Sequence, residues 1–202
     1  MSYSDFTLKD LQNKFGLKNR VTNLFQKFEA LEPSDWLKTT LFKTAQLPAR
    51  SEKSKSETIV FPILLELRDR NKNFITIYSG ENLSADEEKG LKGECDFIIT
   101  QDTGTFDINY PIIQLVEAKK NDIETGVPQC AAQMAGAKIF NEKNNVNTPV
   151  IYGCVTTGDE WLFLKLGDEL LIDKRKYFLI ELGELLAVFQ NIIDEYKHLN
   201  NY

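Results

Sequence analysis

Between Pro111 and Lys120 the chain reads Pro-Ile-Ile-Gln-Leu-Val-Glu-Ala-Lys-Lys. An apolar run of strand length ends abruptly in Glu-Ala-Lys, and this buried strand organises the rest of the chain. Side chains alternate faces along a strand, so Glu117 and Lys119 project to one side and Ala118 to the other. A carboxylate and an ammonium at the end of a buried strand are costly without a partner or a task. The same spacing suits chemistry: the carboxylate holds a divalent metal, while the lysine orients a water or offsets developing negative charge.

Acid-x-Lys occurs three times, at Glu87-Glu88-Lys89, Glu117-Ala118-Lys119 and Glu195-Tyr196-Lys197. The first lies in a polar turn region and the last in a C-terminal helical pattern, and both read as solvated charge. Only Glu117 emerges from an apolar run, so context selects it.

The 202 residues suffice for one full domain with a real core. No run approaches the ~18 apolar residues of a membrane span, and the start, Met1-Ser2-Tyr3-Ser4-Asp5, lacks the pattern of a signal peptide. Cys95, Cys130 and Cys154 lie in apolar segments and are expected as buried reduced thiols of a cytoplasmic protein. With a single histidine, His198, no Cys/His zinc cluster can be assembled. The net charge of −6 argues against a protein that coats nucleic acid non-specifically. Residues 1–56 nevertheless balance to +4 and the remainder to −10. That is either a phosphate-facing arm over a metal site or ordinary fluctuation.

Leu8, Leu11, Phe15 and then Val21, Leu24, Phe25, Phe28 recur at helical spacing, predicting two short helices divided near Gly16 and Asn19. A third helix is expected to start at Pro33-Ser34, and residues 51–56 read as a linker. Ser56 is a plausible N-cap for a buried helix to about Arg70, bent by Pro62. Strands follow at Phe74–Tyr78 and Cys95–Thr100, with Asp96 near the start of the second. After the Glu117 strand come a turn over 121–126 and a helix over Val127–Asn141 with a small-residue face. A strand at Pro149–Val155, a hairpin around Gly167-Asp168 and a closing helix over Leu182–His198 complete the chain. Trp36 and Trp161 read as core or interface residues, and His198 and Lys120 as solvated ones.

The order is helix with Glu57, strand, strand with Asp96, strand with Glu117 and Lys119, helix with Gln129 and Gln133, strand. Over roughly residues 56–156 this resembles the restriction-endonuclease-like, or PD-(D/E)xK, nuclease superfamily. The resemblance implies an α/β fold with an α-β-β-β-α-β core and a mixed central sheet. To that core this chain adds an N-terminal helical cap over residues 1–55, an extra β-hairpin and a C-terminal helix; residues 56–202 form the nuclease-like domain. It implies a Mg²⁺- or Mn²⁺-dependent nuclease acting on DNA, in restriction, repair or mobile-element biology. An enzyme that cuts both strands is expected to be a homodimer.

By the same resemblance Asp96, Glu117 and the carbonyl of Ala118 would hold the metal. Lys119 would position the attacking water, with Glu57 and Gln129 completing the site. The family's proline before the first acid is absent, the sequence being Gly93-Glu94-Cys95-Asp96. Glu94 shares a strand face with Asp96 and rivals it as a ligand. Glu66 competes with Glu57 for the helix position, although a pair with Arg70 at i+4 is the plainer role for Glu66. Gln133 lies one turn from Gln129 and competes with it. The alternative to a nuclease is a catalytically silent protein of nuclease fold that binds or scaffolds a partner.

Overall fold

The computed structural model describes residues 1–199. Strands β1 (Asn19–Thr22), β2 (Ile75–Asn82), β3 (Glu94–Gln101), β4 (Ile112–Ala118), β5 (Ile151–Thr156), β6 (Glu160–Leu166) and β7 (Leu170–Phe178) form one open mixed sheet. Its order is β1-β7-β6-β5-β4-β3-β2. Only β4/β5 and β1/β7 run parallel; the other neighbours are antiparallel. Parallel neighbours need a crossover, and helix α5 (Ile123–Lys143) supplies it between β4 and β5. β4 is buried at every residue, as its unbroken apolar run requires.

Each face of the sheet carries its own apolar cluster. On one, α5 lies close to β4 and β5, joined by α1 (Leu8–Phe15) and a short 3₁₀ turn at Tyr3–Asp5. Small residues set that distance: a side chain at Gly153 would collide with Met134 and Cys130, and one at Gly136 with the Tyr3 ring. On the other face lie α2 (Asp35–Thr44), α4 (Phe61–Arg70) and α6 (Leu182–Leu199). Their core includes Trp161, Phe163 and Phe189, the last two meeting edge to face at 4.9 Å between ring centroids.

Two expectations fail in the N-terminal part. Residues 19–22 form no second helix; they are an edge strand paired with Leu170–Asp173. Leu24, Phe25 and Phe28 then pack on the second cluster from chain that is not helical. Residues 1–55 are therefore more than a helical cap, because they add a strand to the sheet and Tyr3, Phe6 and Leu11 to the core. Residues 51–56 are not a linker either. Ser51 caps α3 (Glu52–Lys55) by accepting from Ser54 N, and the chain continues through a π-helical turn (Ser56–Val60) into α4.

Pro62 accounts for the irregularity. It has no N–H for the carbonyl of Thr58, and its ring crowds that carbonyl. The Thr44 hydroxyl of α2 donates to the Thr58 oxygen instead, at 2.9 Å. Glu66, 5% exposed, takes the structural role weighed for it: it accepts from Arg70 Nε at 2.9 Å and from Ser34 N at 3.1 Å. Burial works against its charge, yet the Ser34 and Arg70 hydrogen bonds prevail and hold its pKa below the ordinary value. Cys95, Cys130 and Cys154 are buried and free, Trp161 is buried, and Trp36 and His198 are exposed. Among the described residues no helix is long and apolar enough to cross a membrane.

Candidate active site at the end of the central strand

β3 runs antiparallel to β4, so its first residues lie beside the last residues of β4. The ladder between them ends at the pair Phe97–Val116, with Asp96 and Glu117 next in each strand. Both side chains line one cavity, and the charge of Asp96 acts against that of Glu117. Asp96 is fixed by an unusual bond: its Oδ2 accepts from the backbone N–H of Ala118 at 2.7 Å. Its Oδ1 takes no hydrogen bond from a described residue.

Glu117 is 2% exposed. Its Oε1 accepts from Lys119 Nζ at 2.6 Å and its Oε2 from Gln133 Nε2 at 2.7 Å. Lys119 Nζ also donates to Gln129 Oε1 at 3.1 Å. Gln129 and Gln133, one turn apart on α5, thus both belong to the cluster, one holding the lysine and the other the acid. The remaining amide atom of Gln133, Oε1, is buried without a partner among the described residues.

Gly126 makes the lysine's position possible. It lies in the first turns of α5, which begins at Ile123 behind an Asp122 cap, in place of the turn expected over 121–126. A Cβ at Gly126 would fall 2.5 Å from Val155 Cγ1 and 3.0 Å from Lys119 Cγ. The helix therefore approaches the sheet closely enough for the lysine stem to lie against its backbone. Lys120, by contrast, is exposed.

The electrostatics are those of a site short of positive charge. Burial, and then the neighbouring charge of Asp96, push Glu117 up to about 7, against the opposing pull of Lys119. Burial likewise raises Asp96, against the Ala118 hydrogen bond and Lys119. For Lys119 burial favours the neutral amine, but the charge and hydrogen bond of Glu117, with the charges of Glu52 and Asp96, outweigh it and hold the ammonium.

A cavity of about 280 Å³ is lined by Asp96, Glu117, Lys119 and Gln129, with Ser2 to Ser4 along one side. A second, of about 510 Å³, shares Glu52, Glu94 and Asp96 with it and extends past Glu57 and Phe61. Of the helix acids, Glu52 reaches both cavities. Glu57 is exposed, pairs loosely with Lys53 at 3.9 Å and lines only the outer cavity. Glu66 lines neither. Sequence reasoning missed Glu52 because the helix was started too late; the signal was Ser51, three residues before Ser54 in a capping arrangement. Glu94 lines both cavities beside Asp96 and keeps its place as a rival ligand.

Two converging carboxylates, one with a free oxygen and both raised chiefly by burial, suit a hard divalent cation that keeps several waters. The donors are few: among the described residues no group of three or more His, Cys, Asp or Glu side chains is arranged to hold a metal ion. No family model matches this sequence, and no curated protein matches it.

Proposed function

We propose that this protein is a Mg²⁺-dependent nuclease of restriction-endonuclease-like fold that hydrolyses phosphodiester bonds of DNA. The observation that carries the reading is the convergence of Asp96, Glu117 and Lys119 on one cavity at the joint end of β3 and β4. The element order supports it. The helix Glu52–Arg70, then β2, β3, β4, α5 and β5, with β4 and β5 parallel, is the α-β-β-β-α-β arrangement the resemblance implies.

Asp96 and Glu117 would hold the ion, with the Ala118 carbonyl as a further oxygen donor. A bound Mg²⁺ supplies Lewis acidity toward a phosphate oxygen. Lys119 retains its proton and presents the ammonium where negative charge accumulates during attack. Gln129 and Glu117 fix that ammonium, and Gln133 fixes Glu117, so the cluster is organised before substrate arrives. Cutting both strands of a duplex needs two such sites, so a homodimer belongs to the reading. The three free thiols suit a reducing cytoplasm.

The test is nicking of plasmid DNA by purified protein. Cleavage that requires Mg²⁺, stops with chelator and disappears in Asp96→Asn and Lys119→Met supports the reading; equal activity in both variants overturns it. A catalytically silent binding protein remains the second reading. It is favoured by the hydrogen bonds on both oxygens of Glu117, and calorimetry that detects no divalent-ion binding would select it.

A further inference from the structure

The outer cavity contains a feature the proposed hydrolysis does not use. Phe61 is 39% exposed, and its ring stacks on the buried Phe97 ring at 6.4 Å between centroids and 19° between planes. Phe61 follows the π-helical turn Ser56–Val60. Its N–H donates to Ser56 O, five residues back. Phe61 lines the outer cavity with Glu52, Ser56 and Glu57.

The walls around this ring select its ligand. Glu52 and Glu94 line both cavities, but Lys119 offsets them only in the inner one; in the outer one Glu57 adds a further carboxylate, with Lys53 loosely paired to it, so phosphate is disfavoured there. A neutral nucleobase has a π-face for Phe61 and meets no such repulsion, and carboxylates accept from exocyclic amines such as that of cytosine. Resting on the nuclease reading above, we propose that the outer cavity binds one unpaired nucleobase stacked on Phe61, next to the scissile phosphate at the ion that Asp96 and Glu117 would hold. A base inside a regular duplex is stacked on both sides and cannot reach the ring. The preferred substrate is therefore a single strand, or a duplex carrying an unpaired nucleotide.

The experiment measures binding of a short fluorescein-labelled single-stranded oligodeoxynucleotide by anisotropy, with Ca²⁺ in place of Mg²⁺. Phe61→Ala is expected to weaken binding roughly ten-fold, the loss of one base–aromatic stack. Phe61→Tyr restores it. Moving a single abasic site along the oligonucleotide finds one position that costs wild type as much and costs Phe61→Ala nothing further. An RNA strand of the same sequence tests whether the sugar matters. Equal affinity of wild type and folded Phe61→Ala, or no binding by wild type, overturns the proposal. The two readings fail separately. Cleavage by wild type with Phe61→Ala unimpaired removes the base site alone; base-dependent binding without cleavage removes the nuclease alone.

Discussion

Asp96 holds the strand beside it: its Oδ2 accepts the backbone N–H of Ala118, the residue between Glu117 and Lys119, at 2.7 Å. One carboxylate thus has a structural duty toward β4 and a free oxygen toward the cavity. Asp96→Asn keeps an acceptor for Ala118 and removes the charge that opposes Glu117, so the metal-free protein should melt at or above the wild-type temperature while cleavage is lost. Asp96→Ala strands the Ala118 N–H and is expected to cost about 1 kcal/mol as well as activity. Thermal melts of both variants without metal check this.

Glu117 gives a pH signature. Its folded pKa of about 7 lies above that of an ordinary glutamate because burial and Asp96 disfavour the charge. The folded state therefore binds the proton more tightly than the unfolded chain. The contribution to stability is full below the ordinary glutamate range and is lost as pH rises through about 7. Metal-free wild type should lose melting temperature over that interval, and Glu117→Gln should flatten the dependence. Stabilisation by Mg²⁺ should grow with pH, because the ion and the proton compete for the same oxygens.

The three helix acids separate by phenotype. Glu66→Gln removes the charge that the buried Glu66 offers to the exposed Arg70 and weakens the bonds from Ser34. It is expected to destabilise by about 1–2 kcal/mol with unchanged activity per folded molecule. Glu52→Gln should weaken metal-dependent cleavage with little change in stability, and Glu57→Gln should alter either only slightly. Denaturant melts alongside initial cleavage rates distinguish these outcomes.

Gly126→Ala tests the close approach of α5. The added carbon meets Val155 and the Lys119 stem, so both stability and activity should fall, the former by about 1–3 kcal/mol. Lys119→Met keeps a stem of similar length without the charge and should remove activity with a smaller effect on folding. Gly126→Ala with wild-type activity would mean that the lysine's place does not depend on the helix.

Much of this was legible before any coordinates. β4 announces itself because every residue in it is buried, and the small face of α5 because the helix lies against the sheet there. Glu117 and Lys119 follow from strand spacing, Asp96 and Gln129 from the resemblance, and all four line one cavity. What escaped has physical causes. α3 buries no residue, so it carries no apolar periodicity and reads as linker, which concealed Glu52. β1 is a four-residue edge strand whose Val21 is 62% exposed; it pairs with Leu170–Asp173, some 150 residues away in sequence. Leu24, Phe25 and Phe28 mimic a helix because extended chain can also drop apolar side chains onto one cluster. The choice between Gln129 and Gln133 was open because i and i+4 share a face, and the structure uses both.

The most direct test is a crystal soaked in Mn²⁺ and measured at the manganese absorption edge. An anomalous peak within coordinating distance of Asp96 and Glu117, absent from Asp96→Asn crystals, is the expected result. Ordered side chains with no peak at that position, or a peak only elsewhere, would contradict the account of this cavity as a divalent-ion site.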